Sequence, residues 1–575
     1  MLGGNHFAAG LIRSMDGIVV PEINLHRYIL LTYKLSIFRL YLETSFHPEI
    51  MFAMRISSKR VIIVPATLLL FTIASFAQIK DPLPRSNPEA EGVSSKEIIG
   101  FLDAVAGSKN EFHSLMILRH GKVIAEGWWN PYAANLRHTM YSTSKSFTST
   151  AVGFAVTEGK IKLSDKVISY FPNDLPETVS PALAALTLKD LITMSVGQKP
   201  DPTASTMQQS NWAKYFLSLP LVDTPGRVFL YNSVAPYMLS AIVQRVTGEK
   251  IVDYLRPRLF QPLGLEGMDW EISPQQVSTG GWGLRVKTED MAKFGLMYLQ
   301  KGKWKGKQIL PASWVEEATT FKIDQAPAMI KEKRDSNDWA QGYCYQFWRC
   351  RNNAFRADGA FGQYIIMMPD QDAVVIITGE SANMQDELNI VWKYLLPAFK
   401  TRGLATDPAS ATILKKRLAM LALSPAPKTP DPAFAKSISG KKYNLEPNEK
   451  NIQQVSFAFK NGICKETVHE GDTTFVITAG DGKWITAAER IPGGPPSLIK
   501  AVKGPYLDLG PSKIAASYSW IDEHTMELRV RYIESPHSDI FICHFDQKNV
   551  SIELDGSLQR MMHAKNKVLK GNEAL

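Results

Sequence analysis

Apolar and polar residues alternate along HSLMILRHGKVIAEGWW (113–129), and the alternation breaks at His120-Gly121, so the segment predicts a β-hairpin. Thr187 to Ser195 and Pro236 to Leu255 instead repeat their apolar positions every three or four residues, predicting packed helices. TEDMAKFGLMYLQKG predicts another helix, with Thr288 as its N-cap and an end near Gly302. From Tyr343 to Thr378 the pattern returns to strands (YCYQFWRC, QYIIMMP and AVVIIT), and a helix over 386–399 closes the unit. SPAPKTPDP (424–432) carries four prolines in nine residues, which excludes a helix or a central strand and marks a linker. Beyond it MELRVRYI, DIFICHF and NVSIELD alternate between short turns. About eight such strands predict a small antiparallel barrel or sandwich over 433–575.

A chain of 575 residues with 45% hydrophobic and 21% charged positions is folded and long enough for two or more domains. MRISSKRVIIVPATLLLFTIASFAQ, from Met54, has the basic start, the apolar run and the small residues Ser75 and Ala77 of a secretory signal over 54–77, cleaved near Ala77. The expected location is therefore secreted or periplasmic, with 1–53 an upstream extension and no membrane span left after cleavage. A single membrane anchor is the other reading of the same run. The formal charge of +9 falls to +6 once the first 77 residues, with seven Lys+Arg and four Asp+Glu, are set aside. The remainder is spread along the chain and gives no basis for a nucleic-acid partner. Among the four cysteines no CxxC or zinc spacing occurs; Cys464 and Cys543 share the later region and could pair in an oxidising compartment. HExxH, P-loop and GxSxG motifs are missing, and no metal or cofactor is expected.

HTMYSTSKSFTSTAVGFAVTEGK (138–160) crowds hydroxyls around one lysine and then becomes small and apolar. Ser-x-x-Lys occurs three times, at Ser142–Lys145, Ser439–Lys442 and Ser497–Lys500. Only Ser142 opens a helix, which Gly159 would stop. Residues three apart share a helix face, so the Lys145 amine can approach the Ser142 hydroxyl. Backbone N–H groups at the helix start favour developing negative charge, and a desolvated lysine loses basicity. Together they make an activated nucleophile without histidine, whereas the plain alternative is an N-cap serine beside a solvated lysine. His113, His120 and His138 lie nearby in sequence and read as structural.

MYSTSKSFTSTAVGFAVTEGKIKLSDKVISYFP resembles the first active-site motif of the serine β-lactamase and penicillin-binding protein superfamily, in the branch of class C β-lactamases, D-alanyl-D-alanine carboxypeptidases, esterases and 6-aminohexanoate-dimer hydrolases. TPGRVFLYNSVAPYMLSAIVQRVTG, PLGLEGMDW and GGWGLRVKTEDMAKFGLMYLQKGKW resemble later landmarks in the same order, so the likeness spans 85–400. It implies an α+β fold, an antiparallel sheet flanked by helices with a helical subdomain, followed by a helix and linker (401–432) and a lipocalin-like β domain.

The resemblance makes Ser142 the acylated serine, Lys145 its base and Tyr231 the proton relay, with the order of proton transfer between the last two open. Tyr231-Asn232-Ser233 stands where Tyr-x-Asn is usual, and Ser233 keeps a shorter hydrogen-bonding group. Ala357-Asp358-Gly359 occupies the third-motif position, where Gly359 would admit the substrate and the Ala360 N–H would complete an oxyanion hole with that of Ser142. Ala357 lacks the cation that receives a substrate carboxylate, which favours an ester or amide substrate, small or peptidic. The alternatives are a silent peptide- or cell-wall-binding protein and a β-lactamase or carboxypeptidase. Oligomeric state is not legible.

Overall fold

The computed structural model describes residues 81–491, 511–546 and 548–574. The signal and upstream segments expected from sequence lie outside them. The predicted hairpin forms as β1 (Glu111–Arg119) and β2 (Lys122–Trp128), with His120 and Gly121 both at positive φ in the turn. With β3 (Trp348–Arg349), β4 (Phe355–Gly359), β5 (Gln363–Met368) and β6 (Ala373–Glu380) they make an antiparallel sheet of order β2-β1-β6-β5-β4-β3. YCYQFWRC was expected to be a full strand, yet only Trp348–Arg349 joins the sheet: Gln346 takes φ 62° and the chain turns there, leaving Tyr343 in isolated bridges to Ile323 and Trp348.

The near-continuous apolar strands are explained by burial on both faces. Met116, Leu118, Val374 and Ile376 enter one core, and Leu115, Ile117, Val375 and Ile377 enter the other. Five helices frame the sheet: α1 (Ser95–Ala106), α2 (Ser144–Thr157), α3 (Val234–Thr247), α4 (Thr288–Leu299) and α5 (Pro408–Ala419). The first core holds α2, α3 and α4; the second holds α1 and Leu414 of α5. α4 approaches the sheet closely at Gly295, where a Cβ would sit 2.7 Å from Ile365 and 2.8 Å from Val374. Thr288, expected as the cap of α4, is its first residue, and the Asp290 carboxylate accepts from the Lys287 N–H at 3.2 Å instead.

Among the described residues the C-terminal region has ten strands, against about eight expected: β7 (Lys442–Leu445), β8 (Ile452–Lys460), β9 (Ile463–Glu470), β10 (Thr473–Asp481), β11 (Ile485–Ile491), β12 (Ser512–Trp520), β13 (Thr525–Tyr532), β14 (Ser538–Asp546), β15 (Asn549–Gly556) and β16 (Lys567–Glu573). β10 pairs parallel with β12 at Gly480–Ser517 and Asp481–Tyr518, closing nine strands into a barrel and removing the exposed edges. Cys464 and Cys543 are buried inside as free thiols. No helix among the described residues is long and apolar enough to cross a membrane.

Candidate active site

A short strand, His138–Thr139, pairs with Leu284–Val286 and delivers the chain to a tight turn. Tyr141 there takes φ 46°, a left-handed conformation that costs a non-glycine residue about 1–2 kcal/mol. Its ring is held from two sides: the hydroxyl bonds His537 Nε2 at 2.5 Å, and the edge meets Phe361 at 5.2 Å. Ser142 follows in the 3₁₀ turn Tyr141–Thr143, immediately ahead of α2.

α2 is buried from Ser144 to Ala155, which explains the crowd of hydroxyls in its sequence. All of them except Ser149, whose hydroxyl is buried without a partner, make hydrogen bonds that an apolar helix could not offer its surroundings. Thr143 donates to the Gln363 carbonyl (2.8 Å), Ser146 to that of Gln346 (2.7 Å) and Thr148 to that of Gly280 (2.7 Å). Ser144 accepts from the Leu284 N–H at 3.1 Å. These bonds fix the start of α2 against the sheet and the 280–284 segment.

Lys145 lies one turn after Ser142 and donates to Ser142 Oγ at 2.8 Å, to Ser233 Oγ at 3.2 Å and to the Gly281 carbonyl at 2.6 Å. Burial pushes the amine down to about 7 from its usual 10.5, against the opposing pull of the Asp201 and Asp358 carboxylates. Gly281 can approach because it lacks a side chain; a Cβ there would fall 2.3 Å from the Ser233 carbonyl.

Tyr231 and Ser233 stand at the entry to α3. Between them Asn232 caps that helix, its Oδ1 accepting from the Val234 and Ala235 N–H groups at 2.9 and 3.2 Å. The Tyr231 ring centre lies 4.8 Å from Lys145 Nζ and is stacked on Trp348 at 5.7 Å. Burial raises the phenol above its ordinary value, partly offset by its hydrogen bond with Ser142. Ser142, Lys145, Tyr231 and Ser233 therefore converge.

Gly359 ends β4 directly against the turn: a Cβ would sit 2.3 Å from the Met140 carbonyl and 2.9 Å from Thr143 Oγ1. Ala360 comes next, half-buried, its carbonyl accepting from Gln363 Nε2 at 3.1 Å. Ala357 is fully buried in the core. Arg356 is also buried, bonded to Asp358 at 2.8 Å and to the Asp338 carbonyl at 2.9 Å, so it offers no cation to a substrate. The two other Ser-x-x-Lys pairs diverge: Ser439 accepts from the Phe459 N–H in the barrel, and Ser497 lies outside the described residues.

Sequence reasoning missed the barrel's part in this geometry. The 533–537 connection lies along the strand before the nucleophile, where the Glu534 carbonyl accepts from the Thr139 N–H at 3.0 Å. His537 bonds Glu380 Oε1 through Nδ1 at 2.6 Å while it holds Tyr141. Glu534 receives Arg137 and Lys513 and lies 3.7 Å from the buried Arg285, and Arg531 binds Glu111 at 2.6 and 2.9 Å. His113 and His138 belong to this network: they bond each other at 3.0 Å, and burial pushes both below their ordinary value.

Residues 112–393 match the protein-family model described as Beta-lactamase. A 6-aminohexanoate-dimer hydrolase of Paenarthrobacter ureafaciens is 27% identical over 282 residues, covering 46% of this chain and 71% of that protein. A β-lactamase of Escherichia coli strain K12 is 28% identical over 148 residues, 25% of this chain and 37% of that one. Among solved structures, the octameric penicillin-binding protein homologue from Pyrococcus abyssi aligns with a TM-score of 0.43 at 15% identity, covering 82% of this chain and 99% of that chain. Residues 112–393 are thus a β-lactamase-family region, and the chain is a serine hydrolase.

Proposed function

We propose that this hydrolase is exported and cleaves a small ester or amide lacking a recognition carboxylate, by way of an acyl-enzyme on Ser142. The observation that carries this reading is the 2.8 Å contact between Lys145 Nζ and Ser142 Oγ, in a site where burial holds the amine near neutrality. Lys145 takes the Ser142 proton as the Oγ–carbonyl carbon bond forms. Tyr231, whose phenol resists deprotonation, passes a proton from Lys145 to the leaving alcohol or amine as its bond to the carbonyl carbon breaks. The N–H groups of Ser142 and Ala360 receive the oxyanion. Water then attacks the ester and gives its proton back along the same route, releasing the acid and free Ser142.

The internal engagement of Arg356 and the apolar Ala357 support a neutral substrate at that end of the site. The relative named for hydrolysis of the 6-aminohexanoate dimer supports including amides, although that dimer ends in a carboxylate, so the amide oligomers to be tested are carboxyl-blocked. A fluorophosphonate probe should label the protein and fail on Ser142→Ala. A panel of esters, short amide oligomers, D-amino-acid peptides and β-lactams should then be turned over in favour of the first two. Labelling that survives Ser142→Ala, or preference for carboxylate-bearing substrates, overturns the reading.

A further inference from the structure

β9 alternates inward and outward through ICKETVHE, and its inward positions are Cys464, Glu466 and Val468. A carboxyl thus occupies a place in the barrel interior where the pattern calls for an apolar residue. Glu466 is only 3% exposed, and its Oε2 is buried without a hydrogen-bond partner. It lines a cavity of about 420 Å³ whose walls include Val468, Ile477, Ile552 and Leu554. That is the size and character of a small-molecule site, apolar with a few placed polar groups. An unpaired buried carboxyl costs the fold several kcal/mol, so packing does not explain its presence.

We propose that the barrel lumen is a second ligand site, taking a small amphipathic amine whose ammonium group is received by Glu466 and whose hydrocarbon body lies along the apolar wall. The cavity's charge selects this class. Among the described residues its walls also carry Glu449, Glu470 and Asp539 against one cation, Lys450. Glu449 is ion-paired with Lys567, and Asp539 accepts from the Tyr532 hydroxyl at 2.9 Å. Burial raises the Glu466 carboxyl to about 7, so part of it is protonated at neutral pH and an arriving ammonium would draw it into the ionised form. A carboxylate head would meet repulsion. The inference does not depend on the reaction proposed for Ser142.

Calorimetric titration of the full chain with octylamine, octanol and octanoate at pH 7.5 tests it. Octylamine should bind with 1:1 stoichiometry and at least tenfold more tightly than the other two. Glu466→Gln should weaken octylamine at least tenfold while leaving octanol within threefold. Leu554→Trp, which fills the lumen, should abolish both, with fluorophosphonate labelling unchanged in either variant. Equal affinity for the three head groups, no binding at millimolar ligand, or octylamine binding that survives Leu554→Trp would overturn the proposal, the last even if Glu466→Gln failed to fold.

Discussion

Raising the pH from 6 to 8 separates the two candidate bases at Ser142. If Lys145 accepts the first proton with its amine near 7, its neutral fraction is about 0.09 at pH 6, 0.5 at pH 7 and 0.9 at pH 8. The second-order rate of fluorophosphonate labelling should then rise about fivefold over the first step and less than twofold over the second. A base with its pKa above 10 behaves differently, gaining about tenfold per pH step without a plateau in this range. Tyr231 is such a group, since burial moves its phenol upward, and so is a solvated lysine. The assay is gel fluorescence of the labelled band at fixed ionic strength, with Ser142→Ala as background. A profile climbing tenfold per step through pH 8 would refute Lys145 as the base. A flat profile would show that neither group titrates in the productive step.

The same burial makes Lys145 expensive to the fold. Between pH 7 and 10.5 the unfolded chain binds this proton and the folded chain does not, so stability rises with pH across that window. Below 7 the full cost stands, about 5 kcal/mol for a fall from 10.5 to about 7. Lys145→Met should therefore abolish labelling yet raise the urea unfolding free energy at pH 7 by about 1–3 kcal/mol, after the lost hydrogen bonds, with the gain vanishing near pH 10. Gly359→Ala forces the Met140 carbonyl away from a Cβ at 2.3 Å; displacing the nucleophile's turn by on the order of 1 Å should lower kcat/KM about 100-fold, with a stability loss of about 1–3 kcal/mol by denaturant titration. Glu534→Ala removes a 3.7 Å contact from the buried Arg285, which stays paired with Asp269, and the partner of Arg137 and Lys513, and should cost about 1–3 kcal/mol by denaturant titration.

What the sequence revealed depended on how local the physics was. Ser142 and Lys145 meet within one helical turn, so spacing allowed their contact, but two other Ser-x-x-Lys pairs share that spacing and only the helix start and the family resemblance singled this one out. Tyr231 and Gly359 are 89 and 217 positions from Ser142 and became visible only through ordered resemblance to a family. Ser233 looked like a departure from that family's pattern, yet its hydroxyl reaches the same amine as Ser142 does. The burial of the sheet on both faces was missed, because 113–129 reads as alternating although β1 is buried at every position after its first. YCYQFWRC misled because aromatic residues packing into a core resemble a strand in composition. The barrel's alternation was plain, but its closure rests on the parallel pairing of Gly480 with Ser517, which no local pattern encodes. Nothing local marks His537 as a neighbour of Tyr141 either, since the two are 396 residues apart.

That last contact alters how freely the C-terminal module can be exchanged. The proline-rich stretch invites a cut, but Glu380, His537 and Tyr141 form one continuous chain of hydrogen bonds running from the sheet, through the barrel, to the residue beside Ser142. A chimera carrying a foreign barrel would lose the clasp on the strained tyrosine unless it supplied an imidazole at the same place. Either half, exchanged, has to bring its own side of that clasp with it.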